Sequence, residues 1–179
     1  MAGIHLEKSL VGRILDIGGG GEGIIGRVYG QSVTAIDCRQ EELDEAPDCC
    51  TKLCMDAAQL QFGNGSFDHA TFFFSLLYMD TDTQQKAICE AARVLRPGGT
   101  ITIWDCAVAS AYPKPFLIEL EIGANGEQVH TTYGVVKQGT QSADAFLGMC
   151  RAAGLTLRAR EENGNTFKLT FEKRENRQR

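Results

Sequence analysis

Hydrophobic and polar positions fall in short blocks along this chain, and the blocks switch between strand-like and helix-like spacing from near its start. Val11 to Ile17 reads as a first buried strand. It runs into Gly18-Gly19-Gly20-Gly21-Glu22-Gly23, after which a helix is expected from about Ile24 to Tyr29. Val33 to Asp37 is a second strand, short, β-branched and ending on a carboxylate. An acidic helical turn, Gln40 to Glu45, is closed by Pro47. Thr51 to Met55, ending at Asp56, and Asp68 to Phe74 form a third and a fourth strand, both too apolar to be surface loops. Thr81-Asp82-Thr83-Gln84 fits a capping box, and Ala87, Ile88, Ala91, Val94 and Leu95 follow on one helical face. Pro97-Gly98-Gly99 is expected to stop that helix and turn the chain into a fifth strand, Thr100 to Trp104.

The texture then changes. Phe116 to Ile122 and Gln128 to Val136 flank Gly123-Ala124-Asn125-Gly126, with Asn-Gly as the hairpin signal. A helix from about Ser142 to Ala153 ends at Gly154, and Leu155 to Arg160 and Thr166 to Phe171 form a closing hairpin around Asn163-Gly164-Asn165. Alternating strands and helices without repeats or low-complexity linkers predict an α/β domain with a parallel sheet covered by helices. At 179 residues, one domain spanning 1–179 is the natural expectation.

Composition narrows the function classes. Hydrophobic residues at 43% and charged residues at 23% describe a globular chain, neither disordered nor membrane-embedded. No apolar run approaches the roughly 20 residues that span a bilayer, and Met1-Ala2-Gly3-Ile4-His5 lacks the apolar core of a secretion signal, so a cytoplasmic address is expected. Seven cysteines, scattered and odd in number, read as reduced thiols. A net charge of -5 argues against a nucleic-acid partner. The one basic cluster, Lys173, Arg174, Arg177 and Arg179, reads as a solvated tail.

Chemistry enters at the glycines. A glycine-rich loop between a buried strand and a helix lets the backbone approach a ligand and presents helix N-terminal amides. Gly18, Gly20 and Gly23 satisfy G-x-G-x-x-G, a weak signal on its own. It gains weight from Asp37 at the end of the next strand, with Cys38 beside it, because a carboxylate there can accept bonds from both ribose hydroxyls of an adenosine ligand. Asp16, two residues before the first glycine, can brace the loop amides and help hold a cationic ligand end. That feature and the antiparallel closing hairpin favour S-adenosylmethionine (SAM) over a nicotinamide dinucleotide.

Ile14-Leu15-Asp16-Ile17-Gly18-Gly19-Gly20, then Asp37, Met55-Asp56-Ala57, Ser66-Phe67-Asp68 and Arg93-Val94-Leu95-Arg96-Pro97-Gly98-Gly99 resemble the successive motifs of class I SAM-dependent methyltransferases of the type 11 kind. The resemblance covers residues 11 to 106 well and the closing helix and hairpin loosely. It implies a Rossmann-like, seven-stranded, mostly parallel sheet whose last strand is antiparallel. It also implies that Asp37 binds the ribose, that Asp56 with the Ala57 amide reads the adenine edge, and that backbone around Phe73 lines the methionine part. The usual D-x-G-x-G-x-G would put its third glycine at position 22, where this chain has Glu22 followed by Gly23.

The function expected from this is methyl transfer from SAM to a small-molecule acceptor, with S-adenosylhomocysteine as product. A macromolecule methyltransferase, a non-catalytic SAM-binding module and a nicotinamide-dependent oxidoreductase are the alternatives. No Asn/Asp-Pro-Pro-aromatic motif follows the fourth strand, where Phe74-Ser75-Leu76-Leu77-Tyr78 stands instead, which counts against an exocyclic amine as acceptor. Tyr78, Tyr112, His130 and Tyr133 are candidates to face the acceptor. His69 reads as structural, and Cys49, Cys50 and Cys54, with Cys38 nearby, have poor zinc spacing, so no metal is expected. With the first strand expected near Val11, no room is expected for the N-terminal helices that cover the site in many of the methyltransferases the chain resembles. The inserted hairpin, about residues 107–140, is therefore expected to be the lid, with a mere extension of the sheet or a homodimer contact as the alternatives.

Overall fold

The computed structural model describes residues 2–109 and 112–175. In chain order the elements are β1 (Ala2–Leu6), β2 (Ile14–Ile17), α1 (Ile24–Tyr29), β3 (Val33–Asp37), α2 (Gln40–Glu45), β4 (Thr51–Cys54), β5 (Phe67–Phe73), α3 (Thr81–Val94), β6 (Leu95–Cys106), β7 (Phe116–Ala124), β8 (Glu127–Val135), α4 (Ala143–Ala152), β9 (Leu155–Asn163) and β10 (Thr166–Lys173). Seven strands form one sheet in the order β4-β3-β2-β5-β6-β10-β9. The pairs among β2 to β6 are parallel, and β10 runs antiparallel to both β6 and β9. The chain builds outward from β2 to β4 and then returns to lay β5 against the other side of β2. The sheet therefore has its topological switch point between β2 and β5, and open α/β sheets bind ligands beyond the carboxyl ends of the strands at such a point.

Strand alternation fills two cores. Leu15, Ile17, Phe72, Ile101, Ile103 and Leu169 face α3 and α4, which contribute Ile88, Ala91, Phe146 and Cys150. Ile14, Phe73, Trp104 and Cys106 face the other way, towards α1 and a second, three-stranded sheet of order β1-β7-β8. Leu6 of β1 and Ile118, Leu120 and Ile122 of β7 bury against Ile25, Val28 and Tyr29 of α1. The β7–β8 hairpin turns through Asn125 (φ 52°) and Gly126 (φ 83°), both left-handed, which suits the right-handed twist of the paired strands.

Several sequence expectations are corrected in detail. β1 had not been expected; it pairs parallel to β7, from Ala2 opposite Leu120 to Leu6 opposite Ala124. Five residues with two large apolar side chains carry too little periodicity to be noticed without that partner. The strand expected from Val11 starts at Ile14, because Val11 is 85% exposed and Gly12 turns at φ 115°. β4 is a strand as expected but ends at Cys54, and it is the exposed edge of its sheet. The cap of α3 is Asp80, whose carboxylate accepts from the Thr83 amide at 2.7 Å, one residue before the expected box. Pro97-Gly98-Gly99 makes a register irregularity inside one long strand, β6, not a turn ahead of it: Phe67 pairs with Leu95 and His69 already with Thr100. Lys173 is not part of a solvated tail, since its ammonium donates to the Leu95 carbonyl at 2.6 Å; Arg177 and Arg179 lie outside the described residues. No helix among the described residues is long and apolar enough to cross a membrane.

Leu120 is fully buried at the centre of the second core. Leu120→Ala is expected to destabilise the protein by about 2–5 kcal/mol, read as a lower urea midpoint with unchanged slope.

Candidate active site

Side chains are excluded from the loop that follows β2. A Cβ added at Gly18 would lie 2.3 Å from the Ser75 Cβ, at Gly19 2.4 Å from Asp16 Oδ2, and at Gly20 2.5 Å from the Glu42 Cβ. Gly18 also holds φ 76°, which side-chain-bearing residues rarely adopt. The Gly18 and Gly19 amides both donate to the Ile36 carbonyl, at 2.8 and 3.0 Å, and the Gly21 amide donates to the Glu42 carbonyl at 2.8 Å. These bonds lay the loop across the end of β3 and against α2. From the end of β5, Ser75 donates its hydroxyl to the Ile17 carbonyl at 2.6 Å and closes the other side.

A cavity of about 450 Å³ opens over this loop, within the range of small-molecule sites. Its lining follows the sheet order. Beyond β4 and β3 lie Asp56, Ala57, Asp37 and Cys38; beyond β2 lie Asp16 and the loop from Gly18 to Gly23; beyond β5 lie Phe73, Phe74, Ser75 and Tyr78, with Tyr133 reaching in from β8. All of the residues expected at a cofactor site, Asp16, Gly18, Gly20, Gly23, Asp37, Cys38, Asp56, Ala57 and Phe73, are brought together here. Asp37 Oδ1 accepts from the Arg39 amide at 3.0 Å and Asp56 Oδ1 from the Ala58 amide at 2.8 Å, so each carboxylate is oriented by the turn that follows it. Asp16 is fully enclosed and accepts a 2.7 Å bond from the Thr71 hydroxyl. Burial pushes its carboxyl up to about 7; the Thr71 bond opposes the rise and the Asp37 charge adds to it. A group so placed favours a cation close by, because ionisation then costs less.

At the β5 end the backbone is strained. Phe74 holds φ 49°, and its amide donates to the Trp104 carbonyl at 2.8 Å. Its ring stacks on Tyr133, with centroids 5.2 Å apart and planes 9° from parallel. Tyr133 donates to Glu22 Oε2 at 3.2 Å, and the Thr131 hydroxyl donates to Glu22 Oε1. Burial, reinforced by the Glu22 charge, holds the Tyr133 hydroxyl far above its ordinary range, and burial raises Tyr78 too. Both are hydrogen-bonding phenols at neutral pH, not bases. Of the four acceptor-side candidates, Tyr78 and Tyr133 line the cavity. Tyr112 and His130 do not: Tyr112 is exposed, and His130 stands beside Glu121 at 3.9 Å, exposed and one residue out of phase with the inward-facing Thr131 and Tyr133.

A buried polar network supports the Leu76–Tyr78 turn from behind. Asp105 accepts from the Leu77 amide at 3.2 Å and from Gln141 Nε2 at 2.9 Å, while Gln84 Nε2 reaches both the Leu76 carbonyl and Gln141 Oε1 at 2.8 Å. The Lys137 ammonium donates to the Leu77 and Met79 carbonyls at 3.2 and 2.8 Å. Burial pushes Asp105 up to about 7, against the Cys106 amide, Gln141 and the nearby Lys137 charge. Motif reasoning places none of these residues near a site, since no spacing links positions 84, 105, 137 and 141, and it reads Gln84 only as the end of a capping box. Glu22 was visible only as a departure from the glycine pattern.

His69 sits at the opposite end of β5, bonded to Thr100 and to the Val11 carbonyl at 2.7 and 3.1 Å, in a structural role. The seven cysteines are free thiols, and no group of three metal-binding side chains forms among the described residues.

Residues 15–103, about half of the chain, match the family model described as a methyltransferase domain. The chain belongs to the class I SAM-dependent methyltransferases. It is 30% identical over 125 residues to the O-methyltransferase resE of Aspergillus sclerotiorum, a match covering 63% of this chain and 47% of that protein. It thus spans about half the length of this curated relative. Its fold is similar to that of the PH0226 protein of Pyrococcus horikoshii (TM-score 0.66, 15% identity, 91% of this chain and 83% of that one). It is also similar to a SAM-dependent methyltransferase of Mesorhizobium loti (TM-score 0.63, 16% identity, 90% of each chain). The seven-stranded sheet with its antiparallel last strand is the fold expected of this family.

Two glycines separate close packing from plain flexibility. Gly18→Ala is expected to cost more than about 1 kcal/mol, from its positive φ and the Ser75 collision. Gly148→Ala, on α4 with nothing within 4 Å of the new Cβ, should stabilise by about 0.4–1 kcal/mol. Chemical denaturation of both variants checks the pair.

Proposed function

We propose that this chain transfers the methyl group of SAM to a small-molecule acceptor, its described elements working together as one methyltransferase domain. The observation that carries the reading is the continuous lining of one cavity across the switch point. Paired carboxylates stand at one end, backbone-only loop lies in the middle, and aromatic walls close the other. Asp37 holds the ribose hydroxyls, Asp56 and the Ala57 amide face the adenine edge, and Asp16 stabilises the cationic methionine end. The residues suit that ligand: the loop leaves backbone surface where no Cβ fits, and Asp16 is a buried carboxyl that a cation would ionise.

Bound SAM supplies an activated methyl group on a sulfonium, displaced in line by the acceptor. What remains for the protein is alignment and exclusion of water. Phe73, Phe74, Tyr78 and Tyr133 form the acceptor wall, and the two protonated tyrosines orient the acceptor as hydrogen-bond partners rather than by removing its proton. The β7–β8 hairpin is the lid in this reading, supported by Tyr133 in the cavity and by the ties from Thr131 and Tyr133 to Glu22. It is also half of the second core, so excising it would strip α1 of its cover. Single substitutions are therefore the usable probes.

Titration calorimetry with SAM, S-adenosylhomocysteine and NAD, followed by turnover on a panel of small metabolites with detection of S-adenosylhomocysteine, tests the proposal. NAD binding without SAM binding, or tight SAM binding with no turnover on any small acceptor, would count against it. Asp37→Ala should weaken S-adenosylhomocysteine binding by about 1–3 kcal/mol, and Asp56→Ala by less. An unchanged affinity in folded Asp37→Ala protein would remove the ribose assignment.

Asp16 adds a pH dependence. In the ligand-free protein its carboxyl is protonated below about 7, and a bound ammonium favours the ionised form, so binding expels a proton under acidic conditions. Affinity for S-adenosylhomocysteine should fall by up to about tenfold per unit below pH 7 and level off above it. Asp16→Asn should flatten the profile. A wild-type profile already flat between pH 5.5 and 8 would place Asp16 out of reach of the ligand's charge.

A further inference from the structure

We propose that Glu22 is a positioning residue that makes the acceptor wall answer to the cofactor loop, by fastening the β7–β8 hairpin to the glycine turn and so holding Tyr133 over Phe74. This rests on the reading that the cavity binds SAM. Position 22 is where the family pattern would have its third glycine, and a side chain is tolerated there only because the chain turns sharply on both sides of it. Gly21 and Gly23 flank it at φ 59° and 56°. The carboxylate leaves the loop and spends one oxygen on the Thr131 hydroxyl and the other on Tyr133, partners 109 and 111 positions away in the chain. Hydrogen bonds to an ionised acceptor are about twice as strong as neutral ones. Arg27 adds a second tie, donating to the Glu22 carbonyl at 2.8 Å and reaching Glu127 of β8 at 3.4 Å.

The contacts continue beyond the clasp. Tyr133 stacks on Phe74, Phe74 is pinned in a left-handed conformation by its amide's bond to the Trp104 backbone carbonyl, and Phe73 packs against the Trp104 indole with centroids 5.9 Å apart. Glu22 thus joins the loop after β2 to the segment after β5, the two loops that flank the switch point, through the hairpin that covers both. A cofactor lying along Gly18 to Gly23 restricts the turn that carries Glu22. Through the two hydroxyl bonds that restriction passes to Thr131 and Tyr133, so the acceptor wall is set once the cofactor is in place. Cofactor and acceptor binding are then coupled, each favouring the other.

Hydrogen exchange measured with and without S-adenosylhomocysteine tests this on the full chain. In the wild type the ligand should slow exchange in residues 127–135 by about tenfold or more, besides protecting the glycine loop. Compared at saturating ligand, Glu22→Ala should keep the glycine loop protected yet lose the slowing in 127–135. Glu22→Gln, which retains an acceptor oxygen, should recover part of it, and the double variant Thr131→Val/Tyr133→Phe should behave like Glu22→Ala. Ligand-induced slowing that survives in Glu22→Ala overturns the proposal. So does a loss of affinity beyond about tenfold in that variant, which would make Glu22 a cofactor contact in its own right. Wild-type protein that binds S-adenosylhomocysteine without any change in 127–135 defeats the coupling alone, whereas wild-type protein that does not bind it defeats the cofactor reading and this inference together.

Discussion

No side chain fits at positions 18, 19 and 20, and the site is arranged around that exclusion. The ends of β2, β3 and β5 and the start of α2 converge on the loop so closely that an added methyl group would meet Ser75, Asp16 or Glu42 well inside van der Waals contact. The loop is accordingly pinned by backbone bonds to Ile36 and Glu42, and its ligand-facing surface is main chain. Removing the side chains has a cost in conformational entropy. That cost is offset by a loop with almost no freedom left, placed where the sheet reverses its strand order.

Around this rigid centre the two faces of the sheet do different work. The α3 and α4 face is an ordinary helix-on-sheet core, made of strand alternation meeting an amphipathic stripe. The opposite face is closed by the short α1 and by a small sheet that draws strands from distant parts of the chain, β1 from before β2 and β7–β8 from after β6. The same hairpin that fills this core with Ile118, Leu120 and Ile122 carries Tyr133 to the cavity and Thr131 to Glu22. Stability and one wall of the cavity are therefore properties of one element, which constrains how far that element could drift in sequence.

Polar groups are buried on both sides of the cavity with their bonds satisfied. Asp16 is held by Thr71 at the loop, and Asp105, Gln84, Gln141 and Lys137 hold the turn that presents Tyr78. A partly satisfied network of this kind would be destabilising, whereas a complete one specifies a single arrangement. The turn after β5 is thereby fixed from behind, while Phe74 is strained in front.

The sequence by itself determined what depends on neighbours along the chain. The glycine run, the carboxylates closing β2's loop and β3, the Asn-Gly hairpin, the stripe on α3 and the order of strands and helices were legible because each is written within a few residues, at spacings set by backbone geometry. The nine residues expected at a cofactor site came from such local motifs and the family resemblance they carry, and all line one cavity. Tertiary structure decided what depends on distant partners. β1 is a strand only because β7 lies beside it, and Pro97-Gly98-Gly99 is an irregularity within β6 only because β5 continues the pairing. Tyr133 reaches the cavity and His130 does not because a strand turns alternate residues to opposite faces, and which face was inward was set by the packing of β7 on α1. Glu22 meets Thr131 and Tyr133 across more than a hundred residues, and Lys137 meets the carbonyls around Tyr78 across some sixty. Contacts closed by long loops leave no periodic trace in a sequence, because either partner alone is an ordinary polar residue until the fold brings the other to it.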